Sequence, residues 1–315
     1  MPRSGPIALV AALLIATGAA FAYTERLKLT PSPILGTSVT NKVFSPVCDC
    51  PTDVAVVGFR LRNTDRIDVE IVDGGGAVVR RLVREAVTRS ERVEIVWDGR
   101  DDAGAVVGEG AYRLRVRLLR QRRTITLPNP IRVDVTPPAV ERFSVSPRVF
   151  SPDGDGRRDS VVVRYLVSEP AEVALYVEGT RQVLKRGRKP EGEIRWSGLA
   201  DDDTVGRGIY RLQVVATDIA GNVAARSRAH PVVVRFVALG RDRIPVLAGQ
   251  AFAVLVLSDA REVQWRFGGR SGTTRPGTLR LRAPAVPSRY PLIVSANGHA
   301  DRSVVVVGIT PEPAP

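Results

Sequence analysis

The sequence predicts an all-β chain: tandem β-sandwiches behind an N-terminal hydrophobic helix. Three observations carry the prediction. The apolar runs are valine-rich and alternate with polar residues, as half-buried strands do. Three blocks of sequence recur at a spacing of about 100 residues, the size of a complete sandwich. The one long unbroken apolar run, Ile7 to about Gly18, lies at the N-terminus.

The chain has 315 residues, room for two or three domains of ordinary size, and 44% of them are apolar. The formal net charge is +13, which raises the question of nucleic acid. The pattern argues against it. The only lysines are Lys28, Lys42, Lys185 and Lys189, and the arginines are scattered. Arg113, Arg115 and Arg117 alternate, which puts them on one solvated face of a strand. Aromatics make up 5% and do not interleave with the arginines as a base-stacking platform requires. A basic exterior suits anionic wall polymers or lipid headgroups instead, through long-range attraction. Two cysteines and two histidines, His230 and His299, are too few for a zinc cluster of standard spacing and leave little material for a Cys-His or Ser-His nucleophile. No catalytic constellation is expected.

Residues 1–22 read as an export segment. Arg3 supplies a basic start, the apolar run follows, and Ala20-Phe21-Ala22 forms an A-x-A cleavage pattern before Tyr23. The alternative is an uncleaved membrane anchor, since Ile7 to Tyr23 reaches the short end of the roughly 17–25 residues that span a bilayer. Either reading places the rest of the chain outside the cytoplasm, secreted or anchored.

The repeat is visible in three aligned blocks. VFSPVCDCPTDVAVVGFRL from Val43 matches VFSPDGDGRRDSVVVRYLV from Val149. RIDVEIVDGGGAVVRRL matches PAEVALYVEGTRQVLKR, each reading as strand, tight turn, strand. Val69 and Ile71, like Val173 and Leu175, are expected to face the core. Gly74–Gly76 lacks the following GK[ST] of a phosphate loop. EIVWDGRDDAGAVVGEGAYRLRVRL then matches EIRWSGLADDDTVGRGIYRLQVVA. Trp97 and Tyr112, and their counterparts Trp196 and Tyr210, are expected to be core anchors.

A period of this length implies immunoglobulin-like domains, at 28–135 and 139–236, joined by a connector stiffened by Pro128, Pro130, Pro137 and Pro138. A smaller sandwich is expected over 238–310, with strands at Phe252–Leu257, Val263–Phe267, Leu279–Leu281, Tyr290–Ser295 and Ser303–Val307. The tail 311–315 is expected to be disordered.

The W-[DS]-G block followed by G-x-Y resembles the Ig-like domain of the flagellar hook-capping, FlgD-type, family. The matching residues are Trp97, Asp98, Gly99, Gly110 and Tyr112, then Trp196, Gly198, Gly208 and Tyr210. The second copy departs from the family at Ser197. Its ending, Ala216 to Asn222, looks like the closing strand and turn of such modules, and the first copy has RLLRQRR there. The FSPDGDGxxD opening resembles the start of modules in secreted and gliding-related surface proteins. The resemblance implies the fold; hook capping itself is not implied.

Two sites stand out. Asp153, Asp155 and Asp159 are spaced i, i+2, i+6 around Gly154 and Gly156, which resembles the start of an acidic Ca²⁺ loop without the distal glutamate of an EF-hand. Asp201, Asp202 and Asp203 could add ligands. The competing reading is a Gly/Asp turn capped by its own side chains. In the first copy Cys48 and Cys50 replace Gly154 and Gly156, and Val47 replaces Asp153. Outside the cytoplasm a Cys48–Cys50 disulfide is expected, against free thiols, an intermolecular bridge or a redox C-x-C. The expected function is a non-catalytic structural or adhesive surface scaffold. The alternatives are an accessory binding module for cell-wall glycan or another envelope ligand and, behind it, an enzyme.

Overall fold

The computed structural model describes residues 4–28, 31–88, 92–185, 187–200 and 203–309. The expected tail 311–315 and the acids Asp201 and Asp202 lie outside the described residues. One helix, Ser4–Lys28, precedes an all-β remainder. The helix passes the expected cleavage point at Ala22–Tyr23. Glu25, Arg26, Leu27 and Lys28 are good helix formers that sustain it, and Pro31 lies just beyond its end. Among the described residues no helix is long and apolar enough to cross a membrane.

Two compact units follow from the packing, 1–135 and 136–315. The first holds one sandwich. One sheet orders Ile34–Thr40, Ala55–Leu61 and Arg92–Trp97. The facing sheet orders Val43–Phe44, Ile131–Val133, Gly110–Leu118, Asp65–Val72 and Val78–Thr88, with Arg123–Thr126 hairpinned onto Gly110–Leu118. Val43–Phe44 runs parallel to its neighbour. Alternation puts Val57, Phe59 and Leu61 of one sheet against Ile67, Val69 and Ile71 of the other, all buried. The outward arginines of Gly110–Leu118 are solvated, and Arg115 pairs with Glu70 at 2.7 Å.

The second unit holds two sandwiches built on the same plan. Val140–Ser146, Val161–Val167 and Glu191–Trp196 face Val149–Phe150, His230–Val234, Gly208–Thr217, Glu172–Val177 and Thr180–Lys185. In the last sandwich Val237–Leu239, Ala251–Ser258 and Gly277–Arg282 face Arg243–Leu247, His299–Gly308, Ser288–Ala296, Val263–Phe267 and Arg270–Thr274. Each sandwich surrounds its own hydrophobic core.

The two endings that differ in sequence differ in structure for a definable reason. In the first sandwich the Gly110–Leu118 strand turns straight back into Arg123–Thr126. The buried Asp65 holds that turn, accepting from the backbone N–H of Arg120 (2.8 Å) and from Gln121 Nε2 (3.1 Å). Burial pushes the Asp65 carboxyl up, but these bonds and those from the N–H groups of Arg66 and Gln121 hold it below the usual carboxylate range. In the second sandwich Asp218 instead closes its own loop. It accepts from the N–H groups of Gly221 (2.7 Å) and Asn222 (2.9 Å) and from Asn222 Nδ2 (2.8 Å).

Candidate functional site

The aromatic residues singled out from the sequence occupy the cores. Trp97 is fully buried, with ring centroids 5.5 Å from Phe44 and 5.1 Å from Tyr112. Trp196 repeats this with Phe150 at 5.4 Å and Tyr210 at 6.0 Å. Each indole N–H reaches a backbone carbonyl, of Arg100 (3.0 Å) or Leu199 (2.8 Å). The tyrosine hydroxyls donate four residues upstream, Tyr112 to Gly108 O (2.7 Å) and Tyr210 to Gly206 O (3.0 Å). Tyr290 makes the same bond to Val286 O in the last sandwich. This is the tyrosine corner of immunoglobulin-like domains, present three times.

The two opening loops are built alike and filled differently. Each is closed by the same backbone bond, Ser45 N–H to Thr52 O (3.2 Å) and Ser151 N–H to Arg158 O (3.1 Å). In the first loop Cys48 and Cys50 are joined in a disulfide, with Cα atoms 5.2 Å apart. In the second loop the carboxylates of Asp153, Asp155 and Asp159 come within 4.8 Å of one another. Asp159 accepts the N–H groups of Gly154 (2.9 Å) and Gly156 (2.8 Å). Asp155 Oδ1 accepts the Arg157 N–H (2.8 Å). The self-capping expected of a Gly/Asp turn is therefore present, and one outward oxygen on each of Asp153 and Asp155 is left over.

Within the second unit those oxygens meet the last sandwich. Asn297, in the turn between Ser288–Ala296 and His299–Gly308, donates Nδ2 to Asp153 Oδ2 and to Asp155 Oδ2, both at 3.1 Å. Asp259 approaches from another turn. Its Oδ1 accepts the hydroxyl of the buried Ser151, while its Oδ2 is buried without a hydrogen-bond partner among the described residues. Burial pushes the Asp259 carboxyl up, the Ser151 bond opposes this, and the negative Asp153 and Asp155 add to the rise. Arg157, Arg158, Arg261 and Arg275 line the adjoining open cleft of about 1130 Å³. The joint is further held by Arg207 to Asp301 (3.0 Å) and by stacking of Phe236 on His299 at 3.6 Å.

The donor set suits a hard cation. Calcium takes 6–8 oxygens from carboxylates and amide carbonyls. Asp153, Asp155 and Asp159 present such oxygens within 4.8 Å of one another, and Asn297, with its amide turned over, would present another. Asp203 is exposed, on the short Asp203–Thr204 strand. Asn297 and Asp259 were not among the residues expected at this site. Asn297-Gly298 reads in sequence only as a turn, and no spacing along the chain joins it to Asp153.

Three sandwiches with one strand order and a tyrosine corner in each define a tandem immunoglobulin-like protein. Residues 53–121 match the family of the FlgD Ig-like domain, so the first sandwich carries a domain of that family. No curated protein matches the chain. Among solved structures, a three-Ig fragment of titin (I67–I69, an E-to-A variant) is 11% identical, with 81% of this chain and 92% of that chain covered and a TM-score of 0.31. A structure described as showing host cell surface retention of a bacterial ice-binding adhesin is 12% identical, with 88% and 99% covered and a TM-score of 0.28. The Bacteroides ovatus protein SGBP-B of a mixed-linkage glucan utilization locus, in complex with a heptasaccharide, is 14% identical, with 89% and 69% covered and a TM-score of 0.23. At these scores no property is carried from them to this chain.

Proposed function

We propose that the chain is a non-catalytic extracytoplasmic scaffold whose sandwiches hold binding surfaces on loops and sheet edges. The observation that carries the reading is the threefold use of one sandwich plan, with both histidines and the aspartates of the first W-x-G turn already engaged in structure. His230 packs edge-on to Phe143 at 4.6 Å and His299 stacks on Phe236. Asp101 caps its own turn through the N–H groups of Ala103 and Ala105, and Asp98 accepts the Arg100 N–H. Asp102 is held by Arg81 at 3.0 Å. Export is supported by the cleavage pattern before Tyr23 and by the disulfide, which fits an oxidising compartment.

Structural Ca²⁺ at Asp153, Asp155 and Asp159 is the second element of the proposal, favoured by the convergence of their carboxylate oxygens within 4.8 Å. Such an ion would tie the second and last sandwiches together and take part in no reaction. The test of the scaffold reading is fractionation of cells producing the full chain with a C-terminal tag, followed by N-terminal sequencing. The expected result is an extracytoplasmic protein beginning at Tyr23. Recovery of the intact chain from the cytoplasm overturns it.

A further inference from the structure

The internal repeat supplies its own control for a second site. The strands Ala55–Leu61 and Val161–Val167 align residue for residue, and so do Arg92–Trp97 and Glu191–Trp196. In the first sandwich Phe59 pairs across the strands with Val93, and Phe59 is fully buried. At the same place the second sandwich pairs Tyr165 with Gly192. A Cβ added to Gly192 would stand 2.5 Å from the Tyr165 hydroxyl, so the glycine makes room for it. Tyr165 is only 4% exposed, and its hydroxyl makes no hydrogen bond with the described residues. The ring is buried while its hydroxyl reaches solvent at the sheet edge, where phenylalanine, with no hydroxyl, fills the same place in the sister copy.

That hydroxyl lines a groove of about 800 Å³ beside the edge strand Glu191–Trp196. Four cations border the groove: Arg142, Arg164, Lys185 and Lys189. Arg164 is paired with Glu193 at 2.5 Å. Arg142, Lys185 and Lys189 are exposed and make no ion pair with the described residues. Two of the four lysines in the chain therefore border this groove. Glu191 and Glu193 sit on the same edge as acceptors.

We infer that this groove binds an anionic glycan, a sugar polymer carrying carboxylates. Uncommitted cations at the rim attract carboxylates. Tyr165 and Ser144 offer hydroxyls, and Glu191 accepts from sugar hydroxyl groups. A polyanion without hydroxyls, such as polyphosphate, would gain the cations but leave both glutamates opposed. A neutral glycan would leave the cations unused. The inference rests on the scaffold reading only for the compartment in which such polymers are met.

The test is binding of the full chain to polygalacturonate, with dextran as the neutral glycan and polyphosphate as the plain polyanion, measured by calorimetry at two salt concentrations. Polygalacturonate should bind tightest, and more weakly at high salt. Lys185→Ala with Lys189→Ala should weaken it at least tenfold. The double change Tyr165→Phe with Gly192→Val restores the pair that the first sandwich already accommodates. It should keep the thermal midpoint and lose tenfold or more in affinity. Unchanged affinity in that double variant overturns the inference, as does equal or tighter binding of dextran or polyphosphate. None of these outcomes bears on where the chain resides, which fractionation decides separately.

Discussion

Replacing Gly99 by alanine separates two costs that the repeat imposes on the W-x-G turn. Gly99 has φ +68°, and an added Cβ would lie 2.8 Å from Cβ and Cγ of Pro46. Gly198 repeats this with φ +76° and Pro152 Cγ at 2.8 Å. Both glycine carbonyls accept the bond that closes the turn, from the N–H groups of Val107 and Val205. The left-handed backbone costs a non-glycine residue roughly 1–2 kcal/mol. Forcing a methyl group into packed ring carbons costs about 1–3 kcal/mol more. Gly104 is the control, with φ +83° and nothing within 4 Å of an added Cβ, so it bears the backbone cost alone. Hydrogen exchange read by mass spectrometry localises the loss to one sandwich. In Gly99→Ala, protection of the Arg92–Trp97 strand should fall by about 2–5 kcal/mol, roughly 30-fold or more at 1.4 kcal/mol per tenfold. Gly104→Ala should lose about 1–2 kcal/mol. Equal losses in the two variants would refute the steric argument, and the second unit should be unaffected by either.

Three further outcomes follow from the charged and covalent contacts. The Asp65 carboxyl is lowered in the folded state, so its stabilisation is present above the unfolded value near 4 and is lost as pH falls through the folded value. Thermal melts of Asp65→Ala should lose about 1–3 kcal/mol near neutral pH and show a flatter acid limb; an unchanged limb contradicts the assignment. Asp259 is raised, so the sign reverses: stability of the second unit declines as pH rises from about 4 through the folded value. Asp259→Asn should melt higher than the parent at neutral pH without Ca²⁺. Millimolar Ca²⁺ should raise the parent's midpoint but not that of Asp155→Ala, and no shift in the parent excludes the ion. The disulfide spans a sequence separation of only 2. Loop entropy for so short a closure is about 1.5 kcal/mol, so Cys48→Ser with Cys50→Ser should destabilise only the first unit and only modestly. Exported parent protein should take up no alkylating agent before reduction.

Much of the fold is legible because it is written twice. Trp97 and Trp196 and their turn glycines align at once, and strand alternation around Val69 and Val173 gives the core faces. The last sandwich was less visible. Val237–Leu239, Arg243–Leu247 and Arg270–Thr274 are short, and the last two mix arginine with proline, threonine or glycine, which hides a period of two. Tyr290 stands alone without the tryptophan that marks the other corners. At the joint, the acids of the Asp153 loop are readable, but their partners are not. Asn297 lies 144 residues from Asp153, and only the packing of two sandwiches in one unit brings them together.

The comparison between copies also says where function resides. The aromatic anchors, the closing bond of the opening loop and the W-x-G turn are kept in both, so these are the requirements of the sandwich itself. The differences cluster at loops and one sheet edge. A covalent bridge stands where the second copy has Gly154 and Gly156, Val47 stands in place of Asp153, and Phe59 with Val93 stands where the second copy has Tyr165 with Gly192. At the joint the Oδ2 of Asp259 is buried without a hydrogen-bond partner among the described residues, and at the edge the Tyr165 hydroxyl opens onto the groove. Unmet hydrogen-bonding capacity of this kind costs stability and is retained where a ligand meets it. The proposed Ca²⁺ site and the proposed glycan groove both lie in the second unit. Removal of residues 29–135 should therefore leave both Ca²⁺ stabilisation and polygalacturonate affinity intact, whereas loss of either on that deletion would move the binding role to the first sandwich.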